Sequence, residues 1–209
     1  MALVCTKLKN YPPSLQTADF QKFMAISGIM KIRDSYTETH GRRVSIYAKR
    51  LATRIGLSSM AVDEIAVGGI LHDIGKVCMS DRMFTNQDVH MSQEMMAELR
   101  RHPINGFMLV KSIVSHKTVL QYILFHHERL DGRGYPFGLK GDDIPLGAQI
   151  ISVADCFDAI TTDRPYKKGK GQTEAFSILK ASAGSALSQS LVNSFILDIQ
   201  ENGMLLTED

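Results

Sequence analysis

The chain has 209 residues, of which 44% are hydrophobic and 22% charged, with a formal net charge of +2. This length can bury a sizeable core in one domain or two small ones, and the near-neutral charge gives no reason to expect binding to a nucleic-acid polymer. No apolar run is long enough for a membrane span, and the first residues lack the pattern of a signal peptide. The widely spaced Cys5, Cys78 and Cys156 form no CxxC pair, which predicts reduced, mostly buried thiols in a cytoplasmic protein.

Apolar periodicity predicts helices along most of the chain. After an irregular lead-in at residues 1–17, the predicted helices cover residues 18–33, 35–55, 93–101, 104–113, 119–127, 146–162, 173–181 and 190–200. A further predicted helix follows Ser58-Ser59 and runs into the segment 72–76. The second helix is predicted to begin at a capping box formed by Ser35 and Glu38. Glycine and proline mark residues 131–145 as a long turn cluster. No alternating strand pattern persists, so the sequence predicts a single all-α domain over residues 18–209.

Seven histidines are distributed along the chain, and most stand beside an acidic residue, a glycine or a proline. Imidazole and carboxylate without thiolate suit Fe, Mn, Co, Ni or Zn in a hydrolytic site rather than a structural zinc site. His90 and His116 have no acidic or histidine neighbour along the chain and are predicted to be bystanders. The candidate ligand segments are His40, His72 with Asp73, His102, His126 with His127, and Asp155.

Neighbouring positions constrain how these segments can act. Adjacent side chains on a helix diverge by about 100°, so a His-Asp or His-His pair is not expected to serve one metal in a simple way. Such pairs can serve two metals side by side, with the carboxylate of Asp73 bridging them. Two metals about 3.5–4 Å apart activate a bridging hydroxide and hold a phosphoryl group during its displacement. A helix continuing beyond His72 would point the Lys76 ammonium at the same site, and Asp155 and Asp158 would share one helix face.

Each segment alone is weak, because a lone histidine on a helix is usually a surface or core residue. Glu38 is interpreted as a helix cap and Asp143 as part of a solvated turn. The pair His126-His127 followed by Gly-Tyr-Pro is much harder to explain by chance than any of the other segments. The ordered set of segments is therefore what indicates a site.

The ordered motifs resemble a known family, the HD-GYP domain, which is a branch of the HD phosphohydrolase superfamily. The resemblance covers about residues 18 to 200, and it implies an all-α HD-superfamily domain that acts as a bacterial cyclic di-GMP phosphodiesterase. The matching motifs are Tyr36-Thr37-x-x-His40-x-x-Arg43-Val44, His72-Asp73-x-Gly75-Lys76, Arg101-His102-Pro103, His126-His127-Glu128, Asp131-Gly132-x-Gly134-Tyr135-Pro136, Lys140-Gly141, Ile144-Pro145, Val153-Ala154-Asp155 and the segment from Asp158 to Lys167.

The resemblance also implies roles for individual residues. Lys76 would contact the scissile phosphate and, with Asp73, carry the catalysis. Gly134 and Pro136 would shape the loop that presents Tyr135, since a glycine adopts torsions closed to other residues. The implied ligands of two divalent ions, Fe or Mn first and Co, Ni or Zn as alternatives, are His40, His72, Asp73, His102, His126, His127 and Asp155. The implied dinucleotide contacts are Lys76, Tyr135, Arg164 and Lys167, with Asp34 and Asp158 as secondary candidates.

Three departures from the family pattern bear on these expectations. Tyr36 stands where some members have a glutamate that helps to hold a third metal, which favours a two-metal site. Residues 77–91 lack the usual prolines and are interpreted as a mobile lid or as a change in access to the site. Ser188-Gln189 replaces a frequent Asp-Pro pair, with a mild structural effect expected.

The leading hypothesis for function is metal-dependent hydrolysis of cyclic di-GMP to linear pGpG, with slow further conversion to GMP. The same ligands would serve a hybrid cyclic GMP-AMP dinucleotide or a simpler nucleotide, because the metal-binding motifs do not indicate which base the enzyme recognises. A catalytically silent cyclic di-GMP-binding or docking module is an alternative of another class, although such modules are expected to lose ligands and all seven are present here.

The composition and the family resemblance also give expectations about partners. No polymeric nucleic acid and no membrane are expected. The apolar stripe from Phe20 to Met30 is compatible with a homodimer and is equally well explained as core. An upstream sensor or a diguanylate cyclase partner is also compatible with the resemblance.

Overall fold

The structure is a computed structural model that describes residues 18–85, 91–163 and 168–205. These residues are mainly helical and form no strand beyond two isolated bridges, which confirms the predicted all-α class. The division into a lead-in and one domain stays a prediction. The helices are α1 (Ala18–Arg33), α2 (Ser35–Arg54), α3 (Ser59–Leu71), α4 (Arg82–Thr85), α5 (Gln93–Leu99), α6 (His102–Lys111), α7 (Lys117–Phe125), α8 (Leu146–Thr161), α9 (Gln172–Ser182) and α10 (Gln189–Asn202), with 3-10 turns at Ile74–Cys78 and Gly141–Asp143.

The start of α2 differs from the predicted capping box by one residue. Asp34 is the N-cap, and its carboxylate accepts hydrogen bonds from the backbone N–H of Tyr36 and the hydroxyl of Thr37. Glu38 is not a cap, because its buried carboxylate accepts a hydrogen bond from the guanidinium of Arg42 one turn later. An N-cap aspartate satisfies an otherwise unpaired backbone N–H and complements the positive end of the helix dipole.

Two apolar clusters form the core. One is built largely from α2, α8, α9 and α10 and contains Val44, Phe157 and Phe195. The other is built from α1, α3, α6 and α7 and contains Phe23 and Ile123. Each of these large side chains contributes about 1.5–3 kcal/mol when it is removed from water. The two clusters hold in place the helices that supply the histidines.

Helix α1 places only part of its apolar stripe in the core. Phe23, Ile26 and Met30 are buried, whereas Ile29 is 49% exposed and Ile32 is 90% exposed. The homodimer stays a prediction.

Two further features bear on expectations from composition. Cys78 is exposed and Cys156 is partly buried, both as free thiols, so the expectation of mostly buried cysteines is wrong for Cys78; Cys5 lies outside the described residues. Within residues 18–85, 91–163 and 168–205, no helix combines the length and apolarity needed to cross a bilayer.

Glycines allow the site-bearing elements to approach closely. A Cβ on Gly41 would lie 2.7 Å from the carbonyl oxygen of Ile70, and one on Gly69 would lie 2.8 Å from Cα of Ser45, so α2 and α3 are in near backbone contact. A Cβ on Gly75 would lie 1.9 Å from the carbonyl oxygen of His102. These contacts bring the segments that carry the first three ligand histidines together.

We predict that Gly75→Ala destabilises the fold by about 1–3 kcal/mol, because the added methyl group overlaps backbone that cannot rotate away. Thermal unfolding followed by circular dichroism should show a lower Tm. Gly28→Ala is the matched control, since Gly28 lies inside α1 with open space around it. It should stabilise the chain by about 0.5–1 kcal/mol through helix propensity. Equal Tm values for the two variants would contradict the tight packing at Gly75.

Candidate metal centre

The candidate ligands meet because several helices end at the same place. His72 is the C-cap of α3, and His126 is the C-cap of α7. His102 lies in the first turn of α6, whereas His40 and Asp155 lie within α2 and α8. Helix ends supply pairs of ligands here because the chain changes direction at each of them.

Asp73 lies at the centre of the site. Its Oδ1 is 3.1 Å from Nε2 of His102, and its Oδ2 is 3.4 Å from Nε2 of His72 and 3.8 Å from Nε2 of His40. Two groups of possible metal ligands share this one carboxylate. One group is Asp73, His102, His126 and His127; the other is His40, His72 and Asp73.

His40 lies between two carboxylates of α8. Its Nε2 is 3.1 Å from Oδ1 of Asp155, and its Nδ1 is 2.7 Å from Oδ2 of Asp158. Asp155 also lies 3.8 Å from Nε2 of His72, which places it beside the second ligand group. Asp158 is only 1% exposed, and its two oxygens also accept from the guanidinium of Arg43 at 2.7 and 2.9 Å. Asp155 therefore faces the site, while Asp158 orients His40 from behind.

The other buried imidazoles are oriented by carbonyl groups three residues earlier. Nδ1 of His72 donates to Gly69, Nδ1 of His102 donates to Leu99, and Nδ1 of His126 donates to Ile123. The three N···O distances lie between 2.7 and 2.8 Å. With the proton on Nδ1, each Nε2 presents a lone pair to the site, which is the tautomer that binds a metal.

The charges of the site also suit a cation. Burial lowers the pKa of His102 to about 3, with His127 and Lys76 adding to the effect against Asp73. Burial likewise lowers the pKa of His126 and of His127. Three imidazoles are therefore neutral at ordinary pH.

The two site carboxylates are ionised. Burial acts to raise the pKa of Asp73, but the neighbouring Lys76 and His72 hold it well below its usual range. For Asp155 burial is likewise outweighed, first by the hydrogen bond with His40, so its pKa is also well below the usual value. Burial acts to lower the pKa of His40, yet hydrogen bonds with Asp155 and Asp158 raise it to about 9.

The donor set fits a divalent cation, because several lone pairs face one another without a proton between them. Nε2 of His102 and Nε2 of His126 are 3.2 Å apart although both rings carry their proton on Nδ1. Nε2 of His72 and Oδ1 of Asp73 are buried and lack a hydrogen-bond partner. Such contacts are costly unless a cation joins them. Imidazole with carboxylate is a donor set for Fe, Mn, Co, Ni or Zn.

The expectation that adjacent ligands diverge is wrong for His126 and His127. Both belong to one ligand group with Asp73, and their ring centroids are 4.1 Å apart. Helix α7 ends at Phe125, so the 100° helical rotation does not apply to the pair. His72 and Asp73 converge for the same reason at the end of α3.

Lys76 reaches the site by a different route from the predicted one. No continuing helix carries it, since α3 ends at Leu71 and a 3-10 turn follows. Its Nζ donates to Oδ2 of Asp73 at 2.6 Å. An ammonium group thus lies beside the central carboxylate, as a contact with a phosphate would require.

The Gly-Tyr-Pro loop packs against the histidine pair. The Tyr135 ring stacks on His127 with centroids 4.7 Å apart. Glu128 holds the loop, because its buried carboxylate accepts from the backbone N–H groups of Phe137 at 2.7 Å and Leu139 at 3.0 Å. Gly134 does not adopt a positive φ, so the predicted reason for this glycine is wrong. A side chain there would collide with backbone, 2.5 Å from Cα of Glu128.

The remaining predicted residues fall into three groups. Asp34 caps α2 and Asp158 holds His40, which gives both a structural reason to be present; their contact with substrate stays a prediction. His116 lies 3.5 Å from Glu64, so it has an acidic neighbour in space, and it belongs to neither ligand group. Arg164, Lys167 and His90 lie outside the described residues.

The segment interpreted as a lid is partly tied to the body of the protein. Arg33 donates to the carbonyl of Met79 and to Asp81, and Glu98 accepts from Ser80 and Arg82. Residues 86–90 of the segment lie outside the described residues, and its mobility stays a prediction.

Three supporting residues were not assigned roles from the sequence. Glu128 and Arg43 appear in the motifs, but only the fold shows that one holds the Gly-Tyr-Pro loop and the other pairs with Asp158. The guanidinium carbon of Arg100 lies 5.6 Å from the Tyr135 ring centroid. The only sequence feature that pointed to Arg100 is its closeness to His102 in the chain.

A comparison with known protein families identifies the family to which this arrangement belongs. The HD domain family matches residues 25–191, which include every described ligand candidate. The chain belongs to the HD domain family. Its motifs and relatives place it in the HD-GYP branch of that family.

Two curated relatives and one solved structure illustrate the similarity of this HD domain. It is 35% identical over 181 residues to a cyclic di-GMP phosphodiesterase of Thermotoga maritima, covering 85% of this chain and 48% of the relative. It is 34% identical over 146 residues to 3'3'-cGAMP-specific phosphodiesterase 2 of Vibrio cholerae, covering 68% of this chain and 27% of the relative. It matches the structure of Bd1817, an HDG"Y"P protein from Bdellovibrio bacteriovorus, with a TM-score of 0.65 and 26% identity over 85% of this chain and 57% of that one. The chain spans about half or less of the curated relatives' length.

We predict that Asp158→Asn weakens metal binding by about 10- to 100-fold, because the amide no longer fixes and polarises His40. Metal content after dialysis against graded chelator measures the effect. The control is Asp198→Asn, which disturbs another buried aspartate paired with an arginine, Arg50 at 2.7 Å, away from the ligand groups. Equal metal retention in both variants would show that Asp158 does not support the site.

We also predict that Glu128→Gln loosens the Gly-Tyr-Pro loop. A glutamine can accept from one of the two backbone N–H groups but turns its own N–H₂ towards the other. Hydrogen exchange of the Phe137 and Leu139 amides should accelerate at least about tenfold, as expected for a buried hydrogen bond to a charged group. Glu174→Gln, on the exposed face of α9, should leave these amides unchanged. Unchanged exchange in the Glu128 variant would refute the loop's dependence on this carboxylate.

Proposed function

We propose that this HD domain hydrolyses a 3′–5′ phosphodiester bond of cyclic di-GMP, releasing linear pGpG and, more slowly, GMP. The observation that carries the proposal is the position of Asp73, which belongs at once to two groups of buried or partly buried ligand candidates. A carboxylate shared between two groups suits two metals held side by side, the arrangement that phosphoryl-transfer enzymes use. The cyclic di-GMP phosphodiesterase from Thermotoga maritima is consistent with this substrate.

We infer two divalent ions, Fe or Mn first, with Co, Ni or Zn as alternatives. His102, His126 and His127 would hold one, His40, His72 and Asp155 the other, and Asp73 would contact both. Divalent ions acidify water and neutralise phosphate charge. Tyr36 supplies no carboxylate for a further ion, which supports the number two.

The protein's own groups would bind and orient the substrate. Lys76, 26% exposed and hydrogen-bonded to Asp73, offers an ammonium group to the oxygens of the scissile phosphate. Burial, reinforced by the nearby Asp73 and Asp155, raises the pKa of Tyr135 well above its usual value. Its phenol therefore stays protonated and can donate a hydrogen bond to the dinucleotide. Arg164 and Lys167 are proposed as further phosphate contacts on the basis of the motif resemblance.

A second candidate substrate is a hybrid cyclic GMP-AMP dinucleotide. The similarity to the 3'3'-cGAMP-specific phosphodiesterase of Vibrio cholerae favours including it, because the ligand residues do not read the base. A binding or docking module without catalysis is disfavoured by the complete set of seven ligand candidates. The homodimer, the upstream sensor or diguanylate cyclase partner, and the cytoplasmic location stay predictions.

The test is turnover by the full chain purified under anaerobic conditions and loaded with Fe²⁺ or Mn²⁺. Cyclic di-GMP, cyclic GMP-AMP and nucleoside monophosphates are compared side by side, with chromatography of the products. We expect pGpG from cyclic di-GMP as the fastest reaction. Binding of cyclic di-GMP without any turnover would identify a docking module instead.

Asp73→Asn should reduce kcat at least about 100-fold and lower metal content, since the variant keeps the shape of the side chain and removes its charge. Asp63→Asn is the control, because Asp63, in α3, is also a buried carboxylate but pairs with Lys49 rather than with the ligands. Wild-type metal content and turnover in the Asp73 variant would refute the assignment.

A further inference from the structure

An arginine lies at the edge of the site without a function in the metal centre. Arg100 is exposed and follows α5, two residues before the ligand candidate His102. Its guanidinium carbon is 5.6 Å from the centroid of the Tyr135 ring, a cation–π contact. Tyr135 in turn stacks on His127, with centroids 4.7 Å apart and planes at 30°. The three side chains form a layered group leading from the surface to the metal ligands.

The charge of Arg100 is not committed to a carboxylate among the described residues. Most other arginines there are paired: Arg33 with Asp81, Arg42 with Glu38, Arg43 with Asp158, Arg50 with Asp198, Arg54 with Glu201, Arg82 with Glu98 and Arg129 with Asp131. Contact with a ring face leaves the edge of a guanidinium open to a further partner. That edge carries several N–H donors in a fork that matches two oxygens of a phosphate.

The position of the charge suits the second phosphate of a cyclic dinucleotide. One phosphate would be held at the metal centre with Lys76, whose ammonium is already engaged with Asp73. The other phosphate would lie outside the centre, and Tyr135, which stacks on His127, borders the centre. Arg100 is a positive group at that edge, and Tyr135 limits its conformational freedom, so less entropy is lost when an anion binds.

We propose that Arg100 is a substrate-binding residue that contacts the phosphate that is not cleaved, with Tyr135 as the platform that orients it. This inference rests on the proposed function, because it needs a substrate with two phosphates. Arg100 contributes to substrate affinity and specificity, and it takes no part in the hydrolysis step at the metal centre.

The experiment compares Arg100→Gln and Arg100→Lys with Arg101→Gln in the full metal-loaded chain. Arg101 is the neighbouring residue, is likewise exposed and charged, and its side chain does not cap α6. Two substrates are used: cyclic di-GMP, with two phosphates, and bis(p-nitrophenyl) phosphate, with one. Metal content is measured for every variant.

For cyclic di-GMP, Arg100→Gln should raise KM about tenfold or more, as expected for loss of a hydrogen bond to a charged group, with kcat within about twofold. The KM of Arg100→Lys should lie between those of the wild type and of Arg100→Gln, since lysine keeps the charge and loses the planar fork. Turnover of bis(p-nitrophenyl) phosphate and metal content should not change. Arg101→Gln should behave as wild type.

Two results would overturn the proposal. Equal KM values for the glutamine variants at positions 100 and 101 would show that Arg100 does not contact the substrate. A parallel loss of kcat on both substrates, with lower metal content, would show that Arg100 supports Tyr135 and His127 structurally instead.

Failure of the proposed function gives a different result. The wild-type chain would then turn over no dinucleotide, and the same variants would be compared by equilibrium binding of cyclic di-GMP in calorimetry. Weaker binding by Arg100→Gln than by Arg101→Gln would still support the contact. Equal binding by the two variants would refute it.

Discussion

The convergence of unprotonated donor atoms around the buried carboxylate of Asp73 is the constraint on which the rest of the structure depends. Backbone carbonyls hold the protons of His72, His102 and His126 on Nδ1, so the Nε2 lone pairs all point inward. Placing such groups together away from water is costly unless a cation compensates them. The fold therefore maintains an arrangement that is compatible with a divalent metal ion.

The architecture around this centre follows from the need to bring donors from distant parts of the chain within a few ångströms. Helix ends are suited to this, because a carbonyl one turn earlier is free to orient an imidazole at the C-cap and the chain can turn towards the site. Glycines such as Gly41, Gly69 and Gly75 remove the side chains that would keep these helices apart. Apolar clusters on either side then hold the positions in place with little freedom to adjust.

Much of this was accessible from local patterns. Apolar periodicity of 3.6 residues located most helices within one or two residues, since the period depends only on burying one face. The ligand candidates were found because several histidine-bearing segments occur together in an ordered set, although each of them alone is weak evidence. Local reasoning was wrong where it assumed ideal geometry. It treated His126-His127 as divergent and Lys76 as part of a continuing helix, and in both cases the helix had already ended.

The sequence by itself determined the all-α class, the order of the helices and the chemical nature of the ligand set, because these depend on residue type and on spacing along the chain. Only the tertiary structure decided which atoms meet. The sharing of Asp73 between two ligand groups, the support of His40 by Asp158 and the hold of Glu128 on the loop join residues that are far apart in the chain or that turn out of the helical path. Spacing along one helix carries no information about such distances, which are set by how closely separate helices pack.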